Sequence, residues 1–392
     1  MINDISILPA WNGRGEKTIK VVVKTDKAAF SAYAPSGKSK GKWETAVLPV
    51  EKILQAFPEI RKQLIGLDEG DWEKFDSHIE QVCGRNLEKC GANFSAALSM
   101  AVIRAASGNR VYKILGGGNV FPYPIGNVVG GGAHLGSTDI QEFLVIPVKA
   151  KTIAEAIETN FAVWQEVGRV LGRSRQIGRN DEGAWISGTD DVQTLDVVCA
   201  AAEAHGARVG LDVAASQFFS KNKYHWTSLK KEFNTAEHFE FLKMMIEKYK
   251  LVYVEDPFNE NDYAAFAELK KSVKCIICGD DLYASQALRI GQGGQHGATN
   301  AAIIKMDQAG TVSRALRAID ACENSQMAHV ISHRSGETCD SFIADFAVGT
   351  GAKFIKCGIS GGERTAKLNR LLDIWNESES PQMPSAAQTG VC

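Results

Sequence analysis

The sequence predicts an α/β protein: a (β/α)₈ barrel with an irregular ββαα start, preceded by a smaller α+β domain. Three observations carry that reading. From about residue 121 onward, eight short apolar runs are interleaved with amphipathic stretches, the pattern of a closed barrel rather than an open sheet. Before that the texture differs, with one alternating β-branched run followed by helical patterns. Between the two, Leu115-Gly116-Gly117-Gly118-Asn119 breaks both patterns and marks a boundary. The expected division is residues 1–118 as an α+β capping domain, 119–376 as the barrel and 377–392 as a Ser/Pro/Gln-rich flexible tail.

In the first domain the run KTIKVVVKTDKAAFSAY over 17–33, preceded by Gly13-Arg14-Gly15, predicts a hairpin; helices are expected over 49–57, 72–83 and 92–106. In the second, strands are expected near 125–129, 142–147, 208–211, 251–254, 275–278, 301–304, 329–331 and 353–355. Helices are expected near 153–171, 192–205, 236–248, 264–271, 286–290, 312–324, 340–349 and 363–375. The Gly-rich link between the first two of these strands is too short for a helix, so they should pair antiparallel, with two helices following. The glycines over 291–297 read as turns, since they lack the strand and helix context of a phosphate cradle.

The chain of 392 residues carries 44 Lys+Arg against 46 Asp+Glu, a net charge of −2, which gives no footprint for nucleic acid or an acidic membrane. No apolar stretch approaches bilayer length and MINDISILPA has no signal-peptide pattern, so the chain reads as cytoplasmic with a small-molecule partner. The nine cysteines are scattered, several within apolar runs, which suits buried reduced thiols. Cys275 and Cys278 have C-x-x-C spacing, but three residues apart on a strand they face opposite sides, against a metal or redox role.

The chemistry is concentrated at strand ends. LVYVEDPFNEN delivers Glu255, RVGLDVAAS delivers Asp212 and CIICGDDL delivers Asp280. A single acid after a strand is ordinarily a helix cap or a solvated loop residue. Three in succession converge on the mouth of a parallel barrel, where they repel one another unless a cation sits among them, and oxygen donors select a hard ion such as Mg²⁺. The next strands deliver Lys305 and Lys356 to the same mouth, where a dication would depress an ammonium pKa and make a neutral amine base accessible. The alternative for each lysine is simple pairing with the strand-end acids. Between them Ser332-His333-Arg334-Ser335-Gly336-Glu337 offers a donor set suited to phosphate. His134 in a glycine-rich loop, Glu142 at a strand start and Glu182 in Asn180-Asp181-Glu182-Gly183 complete the candidates, and paired carboxyls can share a proton.

The stretches EDPFNENDY, GDDL, SHRSGET, DSFIADFAVG, SGGERTAKLNRLL, GGGAHLG, QEFLVIP, NDEG and the lid-like PSGKSKG closely resemble the enolases. That resemblance implies Mg²⁺-dependent, reversible dehydration of 2-phosphoglycerate in glycolysis and gluconeogenesis, by a homodimer or larger homo-oligomer. It implies that Asp212, Glu255 and Asp280 hold one Mg²⁺ and Ser39 a second that arrives with substrate. Lys305 would be the base, and Glu182, hydrogen-bonded to Glu142, the acid. Lys356 would hold the carboxylate and Arg334 with Ser335 the phosphate, with His134, Ser39 and His333 near the substrate.

The sequence departs from the family pattern at Lys38 and Lys40 in the lid, at Ala184, at Gln217 in place of a usual Glu and at Asp307 in place of a usual Asn. Lys38 and Lys40 keep open a paralogue acting on a phosphonate, similar to carboxyphosphonoenolpyruvate synthase. A muconate-lactonising or mandelate-racemase type enzyme would carry K-x-K after its second barrel strand; Lys149-Ala150-Lys151 has that spelling but follows Pro147 and opens a helix. A non-catalytic binding protein on the same fold would have no need of Lys305, Glu182 and the acids.

Overall fold

A computed structural model describes residues 1–38, 42–134, 136–173 and 176–385, the His134 side chain excepted. Ser39, Lys40 and the end of the tail lie outside the described residues. The N-terminal sheet has three antiparallel strands in sequence order, β1 (Ile2–Trp11), β2 (Lys17–Thr25) and β3 (Ala29–Tyr33). The predicted hairpin is β2 with β3, and the Gly13-Arg14-Gly15 turn joins β2 to a strand that sequence reading had missed. β1 hides its period because Pro9 interrupts it, Leu8 and Trp11 are exposed, and its register slips between Ile2 and Asp4.

Four helices follow: α1 (Val50–Leu64), α2 (Trp72–Cys83), α3 (Ala92–Ser107) and α4 (Val111–Ile114). The first does not stop at Phe57 as expected but runs through Pro58. The carbonyl that proline leaves without a partner is that of Leu54, an exposed residue whose backbone water can serve. Nearly all of α3 is buried, and it fastens this domain to the rest: Ser95 Oγ donates to Gly310 O at 2.7 Å, Ser99 Oγ accepts from Val312 N at 2.9 Å, and Arg104 meets Asp340 at 2.6 Å.

The remainder is a closed eight-stranded barrel. Its strands are β4 (Tyr123–Gly130), β5 (Glu142–Ile146), β6 (Arg208–Asp212), β10 (Tyr253–Glu255), β11 (Ile276–Gly279), β12 (Ala301–Ile304), β13 (Ala328–Ser332) and β14 (Phe354–Lys356), with β14 closing on β4. As expected, β4 and β5 pair antiparallel, and the helices α5 (Ile153–Leu171) and α6 (Asp191–Ala204) precede β6. Because β5 is reversed against both neighbours, its first residue, Glu142, lies at the mouth where the other strands end. Its far end carries Lys149-Ala150-Lys151 to the opposite mouth, away from any site at the strand C-termini.

The outer layer continues with α7 (Thr235–Tyr249), α8 (Tyr263–Ser272), α9 (Ala287–His296), the short α10 (Met306–Ala309), α11 (Val312–Asn324), α12 (Phe342–Gly349) and α13 (Gly362–Glu377). The glycines of α9 are helical, not turns. A β-carbon on Gly293 would lie 2.2 Å from the Tyr283 hydroxyl, so this helix approaches its neighbour by dispensing with side chains. A second small sheet, β7 (Phe219–Ser220), β8 (Lys223–Trp226) and β9 (Lys231–Phe233), fills what read as a loop. Two apolar layers result, one inside the barrel (Ile125, Leu144, Tyr253, Ile303, Phe354) and a larger one between strands and helices. The tail, expected to fray, is tied down through its described part: Gln382 bridges Val120, and Tyr123 Oη donates to Pro384 O at 3.2 Å. No helix of the described residues is long and apolar enough to cross a membrane.

Candidate active site

Barrel register sets the predicted acids side by side. Glu142 on β5 pairs with Asp212 on β6, and Asp212 with Glu255 on β10, while Asp280, Lys305, Ser332 and Lys356 follow around the ring at the ends of β11, β12, β13 and β14. Most of them line one cleft with Gln141, Glu182, His333, Arg334, Ser335, Gly37 and Lys38. Glu255 is fully buried beneath it.

Lys356 holds the centre. Its Nζ lies 2.7 Å from Glu142, 2.8 Å from Asp212 and 3.0 Å from Glu255. Burial opposes that charge, but the three carboxylates more than offset it and raise the pKa. Lys305 Nζ sits 2.5 Å from Asp280 Oδ2. In the protein alone, burial works to lower the Lys305 pKa but Asp280 outweighs it and raises it; the depressed value expected from the sequence is that of an amine beside a bound dication.

The carboxyls show the complementary effect. Glu255 is pushed up to about 8 by burial and then by Asp212, and Glu142 is raised well above the ordinary range by burial, with Glu182 and Asp212 adding to the shift against Lys356. Asp280 is the exception, since burial works to raise it but Lys305 brings it below 3.8. Glu142, Asp212, Glu255 and Asp280 thus bring four acidic groups against two ammonium groups. When all four are ionised, which a bound cation favours over protonation, two negative charges remain, and that surplus in oxygen donors alone fits a divalent cation.

Another acidic set, Asp256, Asp280 and Asp281, brings one oxygen from each within 4.8 Å of the others. Asp256, however, spends its two oxygens on the backbone N–H groups of Asp280 and Asp281, at 3.0 and 2.7 Å. It holds the turn that presents Asp280.

Glu182 reaches the cleft from its loop and accepts from Asn127 Nδ2 at 2.9 Å. His333 Nδ1 accepts from Arg364 Nη1 at 2.7 Å; since a guanidinium only donates, the ring is neutral with its hydrogen on Nε2. Burial, and then Arg364, push the His333 pKa well down in agreement. Arg334 pairs with Asp307 at 2.7 Å and Glu44 at 3.0 Å, and Ser335 Oγ accepts from Lys38 N at 3.0 Å and Arg14 Nη1 at 2.9 Å. The Ser39 position and the His134 side chain lie outside the described residues. The loop bearing His134 is anchored by Gln217, whose Oε1 accepts from Ala133 N at 3.2 Å.

The two family models that match this chain are "Enolase, N-terminal domain" over residues 2–115 and "Enolase, C-terminal TIM barrel domain" over 118–386. Similar curated proteins include the enolase of Archaeoglobus fulgidus, 37% identical with 98% of this chain and 99% of the relative covered. Those of Methanothermobacter thermautotrophicus and Pyrobaculum aerophilum are 38% and 39% identical, each with at least 95% of both chains covered. This chain belongs to the enolase family. Enolases are carbon–oxygen lyases, and the family implies a divalent metal, in keeping with the charge count at the barrel mouth.

Sequence reading of this enolase-family site missed the residues that buttress it. Arg364, fully buried on α13, donates to His333, to the Arg334 and Ser335 carbonyls at 2.7 and 2.6 Å, and to the Asp181 carbonyl at 3.2 Å. Lys367 on the same helix reaches the Thr338 and Asp340 carbonyls at 2.9 and 2.7 Å. A signal was present: Arg364, Lys367, Leu368 and Leu371 follow the spacing of a buried helix face, with two charges where apolar residues belong.

Proposed function

We propose that the chain catalyses the Mg²⁺-dependent, reversible dehydration of 2-phosphoglycerate to phosphoenolpyruvate, as a cytoplasmic homodimeric enzyme of glycolysis and gluconeogenesis. The observation that carries this reading is the arrangement of Lys305 and Glu182 on one cleft whose floor is the carboxylate ring. In this reading residues 1–118 cap the barrel, and Asp212, Glu255 and Asp280 hold one Mg²⁺ while Ser39 contributes to a second. Bound there, the ions supply positive charge against the substrate carboxylate, which gains negative charge as the reaction proceeds.

Lys305, as the free amine, removes the proton from the carbon next to the carboxylate. Glu182, coupled electrostatically to Glu142, then protonates the departing hydroxyl, so that water leaves as the carbon–carbon double bond forms. Lys356 pairs with the substrate carboxylate, Arg334 and Ser335 hold the phosphate, and neutral His333 presents its Nε2 hydrogen. In this reading His134 and Ser39 exclude water when substrate is bound.

The test is to follow the ultraviolet absorbance of the enol product with purified protein and 2-phosphoglycerate, with and without a chelator. Formation that stops on chelation is expected. Silence with 2-phosphoglycerate alongside turnover of a phosphonate analogue would replace this reading with the paralogue that Lys38 and Lys40 keep in view.

A further inference from the structure

We propose that Asp307 is a specificity-determining residue that lowers the positive charge of the Arg334 side of the cleft, so that Lys38 is needed to complete the subsite for a phosphate dianion. This rests on the reading above, in which Arg334 and Ser335 receive the phosphate.

Arg334 is almost wholly buried, and its guanidinium meets two carboxylates before any anion arrives: Nη1 lies 2.7 Å from Asp307 Oδ2 and Nη2 lies 3.0 Å from Glu44. A single positive charge therefore faces two negative ones. The geometry of that contact does not require the second charge, since an amide oxygen would accept the same hydrogen bond from Nη1. Asp307 is 3% exposed, and its other oxygen is buried without a hydrogen-bond partner. An acid in this position adds charge where a neutral amide would serve the packing, and that charge repels a dianion seated on Arg334.

The compensating charge comes from the other domain. Ser36 and Gly336 exchange backbone hydrogen bonds at 2.9 and 2.8 Å, and Lys38 N donates to Ser335 Oγ at 3.0 Å. Gly37 lies flat on the guanidinium, where a β-carbon would be 1.7 Å from Arg334 Nη2. This seating puts Lys38 on the wall of the same cleft as Arg334 and Ser335. Asp307 removes charge from below the anion and Lys38 restores it from above. Anion affinity is thereby linked to the seating of residues 36–38 on the barrel.

The experiment measures binding of inorganic phosphate by calorimetry, in the presence of Mg²⁺, to the unaltered protein, Asp307→Asn, Asp307→Ala, Lys38→Ala and the double variant of Asp307→Asn with Lys38→Ala. KM and kcat for 2-phosphoglycerate are read alongside. Asp307→Asn keeps the hydrogen bond to Arg334 and is expected to tighten phosphate binding on the order of tenfold, while Lys38→Ala weakens it by a similar factor. The Lys38→Ala penalty should shrink in the Asp307→Asn background, and KM should move more than kcat. A purely structural role predicts instead that Asp307→Asn and Asp307→Ala both weaken binding, and that result overturns the proposal. Strictly additive effects of the two substitutions overturn it as well. Phosphate affinity is read without turnover, so an inactive protein that shows this coupling would count against the proposed reaction and not against the role of Asp307.

Discussion

Replacing Lys356 with methionine tests the charge balance at the barrel mouth. Methionine has nearly the same length and volume, so the perturbation is the loss of one ammonium from among Glu142, Asp212 and Glu255. At 2.7 to 3.0 Å each pair contributes roughly 5–6 kcal/mol of gross attraction at an effective dielectric near 20, most of it offset by desolvation. Breaking a buried ion pair from one side costs about 3–5 kcal/mol net, and Lys356→Met should destabilise the metal-free protein by that amount. The effect on metal binding has the opposite sign. Removing a positive charge that shares Asp212 and Glu255 with a bound dication relieves repulsion on the order of 1–3 kcal/mol after screening, so the Kd for Mg²⁺ should fall about ten- to hundredfold. Turnover should be lost because the substrate carboxylate loses its partner. The assay is a calorimetric Mg²⁺ titration at pH 8, where protons compete least, with urea unfolding in the presence and absence of the ion. Weaker Mg²⁺ binding by a folded Lys356→Met protein would show that this ammonium does not sit against the metal-holding carboxylates.

Lys305→Ala should cut turnover by on the order of 10³-fold or more while Mg²⁺ binding persists; substantial residual rate would place the base elsewhere. Arg364→Lys should cost about 2–4 kcal/mol and raise KM, because an ammonium cannot span the His333, Arg334, Ser335 and Asp181 acceptors as the guanidinium fork does. Urea midpoints matching the unaltered protein would refute that buttressing. Stability should also respond to pH. Glu255 has a folded pKa of about 8, raised from 4.5, so the fold keeps a proton that the unfolded chain has already released, and its contribution is lost as pH rises toward 8. Burial lowers His238 and His329 to about 4 and His333 well below its usual value, so near pH 6.5 the unfolded chain still holds protons that the fold has released, and these groups make stability rise with pH there; by about pH 7.5 they are neutral in both states. The metal-free protein should therefore have a lower urea midpoint at pH 8.5 than at 7.5, with the difference shrinking in Mg²⁺; a midpoint that rises across that window would contradict the assignment.

Where a residue's role follows from its place along one strand, the sequence carried it. Apolar runs ending in acid located Asp212, Glu255 and Asp280, runs ending in lysine located Lys305 and Lys356, and the short link after Gly130 foretold the reversed strand that begins with Glu142. The misses have the opposite character. β1 lacks a clean alternation because an exposed edge strand tolerates Pro9 and Trp11. The glycines of α9 look like turns until Tyr283 is seen packed against them. The pairing of Lys305 with Asp280, which sets the sign of its shift in the protein alone, is a contact between neighbouring strands that no pattern along one strand displays.

By itself the sequence determined the barrel, its reversed second strand and the acids and lysines at one mouth, because hydrophobic period and strand-end chemistry are local properties of a chain, while its motifs carried the resemblance to the family. Only the tertiary structure decided that Lys356 bridges three carboxylates, that Arg364 fixes the tautomer of His333, and that Asp307 and Glu44 share Arg334. Each of those depends on side chains dozens to hundreds of residues apart meeting where water is excluded. There, burial and the nearest opposite charge set the protonation state, and neither can be read along a line.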